Sequence, residues 1–421
     1  MGKTFVEKVL GRAVGKPVTA GDVVVVCPDF CMSHENASAV IRSFEKFGVK
    51  EIFDPSRLVF IFDHTVPAST DAYANAHRIV REFAKKHGVK NFYDMHSRGG
   101  ICHQIMVQEG YAYPGAIIVG TDSHTCTHGA MGAFSTGIGR TEMAAVWVTG
   151  EIWLRVPETI KITVNGRFRP GVAAKDLILK IIGDLRADGA DYCSVEFHGA
   201  AIEGMPIADR MTLCNMAVEM GAKNAVCKAD EKTYAFPVNG FKSKLIEPLW
   251  ADADAAYCKE LEYHLPELLP GVARPHTVDH YARVSEVVGT PIQQAFVGAC
   301  TNGRIEDLRI VAQILCGKQV AVRTIITPAS CLVYEQALKE GIISDLLAAG
   351  CVISHPGCGP CAGVMGGILA EGETCIASSN RNFRGRMGNN DSFVYLASPA
   401  TVAVSALYGY IEDPSKLFSK E

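Results

Sequence analysis

Ser354-His-Pro-Gly-Cys358-Gly-Pro-Cys361-Ala-Gly363 places two cysteines, separated by two residues, in a loop rich in glycine and proline. Glycine lets the backbone approach a ligand closely and proline stiffens the loop, so the two sulfurs can face one metal ion or cluster. This spacing suits zinc, thioredoxin-type redox chemistry or an iron–sulfur cluster, and it also occurs in tight loops without a metal. The loop alone therefore leaves its chemistry open.

A third cysteine follows an apolar run in Phe296-Val-Gly-Ala-Cys300-Thr-Asn-Gly-Arg304. If both loops lie at the same edge of a sheet, Cys300, Cys358 and Cys361 form a three-thiolate site. Three thiolates on a cubane cluster leave one iron open, and that iron can act as a Lewis acid. An electron carrier would normally need four cysteine ligands per cluster.

The composition bounds the class of protein. The 421 residues are enough for two or three domains, and 48% hydrophobic with 20% charged residues predicts a large buried core. A net charge of −4 without a Lys/Arg-rich block argues against nucleic acid or an anionic membrane as partner. Fifteen cysteines without disulfide spacing, and no apolar run near 18 residues, predict a cytoplasmic protein without a membrane span.

Short apolar strands alternate with helical patterns over most of the chain, which predicts an α/β protein with parallel sheets covered on both faces. We predict three α/β/α domains at residues 1–157, 158–288 and 289–421. The second begins at an alternating strand whose Asn165-Gly166 signals a hairpin turn. Four further predictions are a buried parallel strand at Asp22–Cys27, helices at Thr141–Leu154 and 393–409, and loops with a linker at 230–290.

Polar side chains recur just after the predicted strands. In parallel sheets the ligand binds outside the carboxyl ends of the strands, so these side chains should share one site. They are Asp63-His64, Asp122-Ser123-His124, Cys300, Cys358 and Asn380-Arg381.

The loop from Gly120 to Arg140 admits other interpretations. His124 and His128 would share a helical face and could bind zinc, but a Gly/Thr-rich loop argues against a helix. A Ser123 hydrolase would need a G-x-S-x-G elbow, which is missing. A dinucleotide fingerprint would need glycine where Glu142 stands.

Two other polar clusters are also ambiguous. Asn215 and Glu219 lie four residues apart and share a helical face, which is either functional or simply solvated. Arg381 and Arg386 could each bind a carboxylate bidentately, or could belong to a solvated basic loop.

Together the motifs resemble the aconitase superfamily over nearly the whole chain, in particular the large subunits of two-subunit 3-isopropylmalate dehydratase and homoaconitase. The motifs that carry this resemblance are Asp63-His64, Cys102-His103-Gln104, Gly120-Thr-Asp-Ser-His124, Cys214-Asn-Met with Glu219, Gly298-Ala-Cys-Thr-Asn302, Gly357-Cys-Gly-Pro-Cys361 and Asn380-Arg-Asn-Phe with Gly385-Arg386.

The resemblance implies a [4Fe-4S] cluster at the centre of the three domains, held by Cys300, Cys358 and Cys361. It also implies acid–imidazole pairs that protonate a departing hydroxyl, and a set of substrate-binding side chains. The pairs are Asp63–His64, Asp122–His103 and Glu219–His124; the substrate-binding residues are Ser123, Asn215, Asn302, Asn380, Arg381 and Arg386.

The implied activity is that of a hydro-lyase acting on a malate-type hydroxy di- or tricarboxylate. We expect 3-isopropylmalate as substrate, with homoaconitate, citramalate and 2,3-dimethylmalate as alternatives. A cluster-dependent regulatory binding protein is the alternative from another class. Dehydration also needs a base for the carbon-bound proton, which the resembled family carries as a serine on a further domain. Because this chain ends at Glu421, we expect that domain on a separate small subunit.

Overall fold

The structure is a computed structural model that describes residues 2–96, 98–238 and 249–418. It contains three largely parallel sheets with helices packed against them, which confirms the α/β class. No helix of the described residues is long and apolar enough to cross a membrane.

The first part of the chain forms a five-stranded parallel sheet in the order β4-β3-β2-β5-β6. Its central strands are continuous apolar runs that are buried along their whole length, as expected for a sheet covered on both faces. The elements are α1 (Phe5–Val14), β1 (Val23–Val26), β2 (Phe30–Ser33), α2 (Ala37–Lys46), β3 (Leu58–Ile61), α3 (Asp71–His87), β4 (Asn91–Tyr93), α4 (Cys102–Gln108), β5 (Ile117–Gly120), the 3-10 segment Ser123–Met131, β6 (Phe134–Gly137), α5 (Arg140–Thr149) and β7 (Ile152–Arg155).

Two predictions for this part are wrong. The predicted buried parallel strand at Asp22–Cys27 is β1, which pairs antiparallel with β7 and exposes Val23 and Val25. The helix predicted at Thr141–Leu154 ends at Thr149, because Gly150 adopts a left-handed φ of 74° and terminates it. The residues that follow form β7.

The second part forms a four-stranded parallel sheet in the order β10-β9-β8-β11. Its elements are β8 (Thr159–Asn165), α6 (Ala174–Leu185), β9 (Ser194–His198), α7 (Ala200–Gly204), α8 (Ile207–Met216), the 3-10 segment Ala217–Met220, β10 (Asn224–Cys227), α9 (Glu231–Ala235) and β11 (Lys259–His264). The hairpin predicted at Asn165-Gly166 is wrong, because β8 pairs in parallel with both β9 and β11 and the chain continues into α6.

The third part forms a seven-stranded sheet in the order β13-β12-β18-β17-β14-β15-β16. The five strands from β18 to β16 are parallel, and β12 pairs antiparallel with β13 and β18. Its elements are β12 (Gly271–Ala273), β13 (Tyr281–Arg283), β14 (Gln294–Val297), α10 (Ile305–Leu315), β15 (Arg323–Ile326), α11 (Cys331–Lys339), α12 (Ile342–Ala348), β16 (Val352–Ile353), the 3-10 segment Gly359–Ala362, β17 (Thr374–Ala377), β18 (Phe393–Ala397), α13 (Pro399–Tyr408) and α14 (Ser415–Phe418).

Two more predictions need correction here. The loop and linker predicted at 230–290 contributes α9 and the strands β11, β12 and β13, and its residues 239–248 lie outside the described part. The helix predicted at 393–409 begins only at Pro399, after β18, because proline suits the first helical position. The strands β12 and β13 join the third sheet although they precede residue 289, and the predicted domain limits stay a prediction.

The three sheets pack on one another. One hydrophobic cluster contains Ile61 from the first sheet, Phe197 from the second and Phe296 from the third, each at most 1% exposed. This shared core brings the carboxyl ends of strands from the first and third sheets to a common cavity.

Candidate active site

A cavity of about 510 Å³, including its open mouth, lies where these strand ends meet. Its polar lining comes from loops after β3, β5, β14, β16 and β17 and from helix α4. The predicted site residues that line it are Asp63, His64, His103, Asp122, His124, Cys300, Cys358, Cys361, Asn380, Arg381 and Arg386.

The Cys358–Cys361 loop is held by close backbone packing. The Cys358 N–H donates to Asp63 O at 2.9 Å, which ties the loop to the first sheet. Gly359 has φ 57°, and a Cβ there would lie 2.6 Å from Thr327 Oγ1. Glycine between the two cysteines is therefore required by both conformation and space.

The Cys300 loop leaves β14 through a strained residue. Ala299 has φ 65°, a left-handed conformation that costs a non-glycine residue about 1–2 kcal/mol. The Arg304 guanidinium stabilises the turn by donating to Cys300 O at 2.8 Å and to Thr301 O at 2.5 Å. The chain thus accepts backbone strain to direct Cys300 into the cavity.

The three thiols suit a cluster better than a single ion. All three are free cysteines. Among the described residues, their sulfur atoms do not belong to a group of potential metal ligands that all lie within 4.8 Å of one another. Asn380 Nδ2 donates to Cys300 Sγ at 3.1 Å, and Arg386 Nη2 lies 3.7 Å from Cys361 Sγ. Polar donors to sulfur are the contacts that stabilise thiolate ligands of iron–sulfur clusters.

Asp63 and His64 form a tight pair beside Cys358. Asp63 Oδ1 lies 2.6 Å from His64 Nδ1, and Asp63 Oδ2 accepts from the Cys102 N–H at 2.8 Å. Burial raises the pKa of Asp63, but the charge and hydrogen bond of His64 outweigh it and hold that pKa below its usual value. Burial conversely lowers the pKa of His64, and the Asp63 charge more than reverses this, so His64 favours its protonated form.

Asp122 is surrounded by imidazoles. Its Oδ1 lies 2.8 Å from His103 Nε2 and 3.5 Å from His124 Nδ1, and its Oδ2 lies 3.6 Å from His64 Nε2. Burial opposes ionisation of this carboxyl, but the hydrogen bonds from His103 and His124 hold its pKa well below the usual value. Asp122 is therefore an anion that joins three histidines into one network.

Glu219 connects this network to an arginine. Its Oε1 lies 2.7 Å from His124 Nε2 and accepts from Arg381 Nε at 2.8 Å. Arg386, on the other side of the loop, has a buried Nε that finds no hydrogen-bond partner among the described residues. Two guanidinium groups at one cavity suit a ligand that carries carboxylates.

Four predicted site residues are not among the residues lining this cavity. Ser123 lines a neighbouring cavity, Asn215 is fully buried and donates to Thr127 Oγ1 at 2.7 Å, and Asn302 donates to Asp307 Oδ1 at 2.9 Å. Glu219, the fourth, acts on the lining residues His124 and Arg381 through its two contacts.

The other interpretations of the Gly120–Arg140 loop find little support. His128 Nε2 lies 3.4 Å from His103 Nδ1 while His124 Nε2 faces Glu219, so the two histidines do not converge on one ion. At the start of α5, the Gly139 N–H donates to Glu142 at 2.7 Å, an internal cap where a phosphate would have to bind.

Three residues around the site are not among the predicted site residues, and two of them, Glu35 and Lys175, are buried. Glu35 accepts from the backbone N–H groups of Asp63 and Thr65, each at 2.9 Å, and Lys175 donates to two carbonyl oxygens behind the thiols. His34 stacks on His64 with ring centroids 4.1 Å apart. A lysine inside the apolar pattern of α6 was the one available signal.

The fold and the site together define an α/β enzyme with a thiol, imidazole and guanidinium cavity. The sequence model of the aconitase family (aconitate hydratase) matches residues 7–291 and 285–409, and the chain belongs to this family, whose dehydratases are hydro-lyases.

Relatives of known name match almost the whole chain. The 3-isopropylmalate dehydratase large subunit 1 of Methanopyrus kandleri is 49% identical over 98% of this chain and 99% of its own. The probable methanogen homoaconitase large subunit of Methanosarcina mazei is 48% identical over 92% and 99%. The crystal structure of Thermococcus kodakaraensis aconitase X, in its holo-form, has a TM-score of 0.50 at 11% identity, covering 99% of this chain and 95% of that one, and so shares the fold.

Proposed function

We propose that this chain is the large subunit of a [4Fe-4S] hydro-lyase that dehydrates a malate-type hydroxy acid, with 3-isopropylmalate as the substrate. The observation that carries the proposal is the single cavity in which three free thiols, paired imidazoles and two guanidinium groups meet. Relatives named as 3-isopropylmalate dehydratase large subunits, matched nearly end to end, support the substrate. Homoaconitate is the second candidate, since relatives with that name are 46–48% identical.

Cys300, Cys358 and Cys361 would hold the cluster, because their thiols line the cavity and receive polar contacts from Asn380 and Arg386. When bound, the cluster would supply a Lewis-acidic iron that polarises the departing hydroxyl. The many free cysteines of the chain support a reducing, cytoplasmic location.

Arg381 and Arg386 would bind the substrate carboxylates. Glu219 fixes Arg381 through Nε, which leaves the terminal nitrogens of that guanidinium for a ligand. Arg386 lies beside Cys361, so a carboxylate bound there would stay close to the thiols. Fork-shaped guanidinium groups fix the orientation of the substrate as well as its charge.

His64 is the best-placed proton donor to the leaving hydroxyl. Its Nδ1 is held by Asp63, and it lines the cavity beside Cys358, with Nε2 3.6 Å from Asp122 Oδ2. The neighbouring anion keeps this imidazole protonated, which is the state an acid catalyst needs before the carbon–oxygen bond breaks. The His103–Asp122 and His124–Glu219 pairs would fix the surrounding proton network.

Loss of water also breaks a carbon–hydrogen bond, and a base must take that proton. The carboxylates of Asp63 and Asp122 are engaged by histidines, and the described lining residues include no serine, lysine or tyrosine. We therefore propose that a small subunit brings the base to the cavity, which the printed name "large subunit" of the relatives supports.

The test is anaerobic reconstitution of the purified chain with iron and sulfide, followed by assay with a cognate small subunit. We expect a brown protein that dehydrates 3-isopropylmalate in preference to homoaconitate, citramalate and 2,3-dimethylmalate. A preference for homoaconitate would favour the second candidate. A colourless protein that retains no iron would refute the cluster, and a loaded complex that turns over none of the panel would favour a regulatory binding protein.

A further inference from the structure

Lys175 occupies an unusual position for a lysine. It lies in the first turn of α6 with 0% of its surface exposed, and no other lysine of the described residues is buried to that degree. Burying an ammonium group is costly, and a cation near a helix N-terminus also opposes the helix dipole. A compensating interaction is therefore expected close to this side chain.

The contacts of Lys175 within the chain do not neutralise its charge. Nζ donates to Ser378 O at 2.8 Å and to Ser379 O at 2.6 Å. No carboxylate oxygen of the described residues lies within 4.0 Å of Nζ. Two carbonyl dipoles thus solvate the Lys175 amino group, and no carboxylate of the described residues pairs with it.

The two carbonyls belong to the segment that supports the thiol cavity. Ser378 O also accepts from Thr301 Oγ1 at 2.7 Å, next to Cys300. Ser379 precedes Asn380, which donates to Cys300 Sγ at 3.1 Å. Lys175 therefore lies immediately behind the Cys300 and Asn380 loops.

The ionisable groups around Lys175 agree with this position. Burial lowers the pKa of Lys175 to about 7, and the groups that oppose the shift are Cys300 and Cys361, ahead of Asp307 and Asp176. A cluster held by Cys300 and Cys361 would bring thiolate charge next to Lys175.

We propose that Lys175 is the buried cation that balances the thiolate charge of the bound cluster, and that it thereby raises the reduction potential of the cluster. This inference rests on the proposed function, because it requires the cluster. A positive charge in a low-dielectric interior stabilises the more negative, reduced form, and net charge is one of the terms that set cluster potentials.

The experiment compares neutral and charged replacements in the reconstituted protein. Lys175→Gln keeps N–H donors for the two carbonyls but removes the charge, Lys175→Met removes both, and Lys175→Arg keeps the charge. Lys180→Gln is the matched control, because Lys180 lies on the same helix, is partly exposed and pairs with Asp184. The midpoint of each cluster is measured by a redox titration followed by electron paramagnetic resonance.

We expect Lys175→Gln and Lys175→Met to lower the midpoint potential of the cluster. At the wild-type midpoint, the reduced-to-oxidised ratio should fall at least tenfold, which corresponds to a shift of about 59 mV for a one-electron couple. Lys175→Arg and Lys180→Gln should keep the wild-type midpoint. Equal midpoints in all variants, or an equal shift in Lys175→Arg and Lys175→Gln, would overturn the proposal.

Thermal unfolding supplies a readout that is independent of activity and of redox poise. Cluster loading should raise Tm by less in Lys175→Gln than in the wild type. If Lys175 were needed only for packing, its replacement would lower the Tm of the loaded and the cluster-free protein equally, and that result would contradict the proposal. Failure of the wild type to load iron would refute the proposed function instead, so the two outcomes are distinguishable.

Discussion

At the scale of single residues, one carboxylate serves two functional groups. Glu219 Oε1 is 2.7 Å from His124 Nε2 and 2.8 Å from Arg381 Nε, and the Glu219 side chain is almost completely buried. A charged hydrogen bond in such a place is stronger than one in water, so Arg381 is fixed before any ligand arrives. That rigidity makes its geometry testable apart from its charge.

Arg381→Lys keeps the charge but loses the fork geometry and the Nε contact with Glu219. We expect kcat/KM of the reconstituted two-subunit enzyme to fall, with a loss of transition-state stabilisation of about 2–4 kcal/mol. Arg384→Lys is the control, since Arg384 is exposed and pairs with Asp391, and it should change little. An unchanged kcat/KM in Arg381→Lys would show that Arg381 does not bind substrate.

The cysteines allow a second test at this scale. Cys358→Ser and Cys300→Ala should remove the brown colour and the activity while the protein stays folded, because each leaves two of the three thiols. Iron and sulfide content, the visible spectrum and circular dichroism measure these effects, with Cys316→Ser as an exposed control. Full iron content in both site variants would rule out the proposed ligands.

Air should inactivate the wild type, and ferrous iron with thiol should restore its activity.

At the scale of elements, a buried acid shapes the turn after β3. Glu35 accepts backbone N–H groups from Asp63 and Thr65 at 2.9 Å and from His64 at 3.2 Å. Burial opposes ionisation of Glu35, but its contacts with His34 hold its pKa below the usual value. The turn that presents His64 is thus organised by an anion from the neighbouring strand end.

Glu35→Gln should weaken this turn, because the amide offers one acceptor oxygen and directs an NH₂ group towards donors. We expect a loss of about 1.5–3 kcal/mol in the free energy of unfolding, the range for hydrogen bonds to charged groups. Urea unfolding of the cluster-free chain measures it, with the exposed Glu51→Gln as control. Equal stability of the two variants would mean that Glu35 does not hold the turn.

The 3-10 segment Ser123–Met131 packs against β10 with no room for a side chain at Gly129. A Cβ there would lie 1.7 Å from Ala225 O. Gly129→Ala should therefore destabilise the protein by at least about 1–3 kcal/mol, the usual cost of overpacking. Gly204→Ala, which meets nothing within 4 Å, should be neutral or slightly stabilising. Thermal unfolding compares the two, and an unchanged Tm for Gly129→Ala would contradict the packing described here.

Elements with a strong local pattern were predictable from the sequence. The predicted alternation of short apolar strands with helices is confirmed in the parallel sheets, for example in β3 and α10. The failures depend on partners far away in sequence: β1 pairs with β7, and β12 pairs with β18. Local periodicity does not show which distant strand provides the hydrogen bonds, and so these strands were misassigned.

The site divides in the same way. Most of the predicted residues line one cavity because they follow parallel strands, and the strand-end rule brings such residues together. Lys175 and Glu35 were missed because their partners are backbone atoms of Ser378, Ser379 and Asp63. Carbonyl and amide groups occur in every residue, so such contacts leave no sequence signature.

At the scale of the whole molecule, the candidate site requires all three sheets. The first supplies the histidines with Asp63 and Asp122, and the third supplies the thiols and arginines. The second part of the chain supports the cavity from outside its lining. Glu219 accepts a hydrogen bond from Arg381, and Lys175 donates to the carbonyl oxygens of Ser378 and Ser379. The open mouth of the cavity leaves access for a further polypeptide.

The last prediction concerns that further polypeptide. The described lining offers carboxylate–imidazole pairs and carboxylate-binding groups, but no serine, lysine or tyrosine that could act as the base. A base must approach the carbon-bound proton within hydrogen-bond reach, and a small subunit that closes over the mouth would also exclude water. Enzymes typically have turnover numbers of about 1–1,000 s⁻¹. The purified chain with its cluster intact should therefore have a turnover number far below this range.

Adding a cognate small subunit should restore turnover to that range, measured as absorbance of the alkene product formed from 3-isopropylmalate. The same addition to Cys358→Ser should give no gain, because this variant lacks a predicted cluster ligand. Saturation of the rate with increasing small subunit would give the affinity of the complex. Turnover at enzyme-like rates by this chain alone, with no second polypeptide in the preparation, would show that the catalytic base lies within the chain itself.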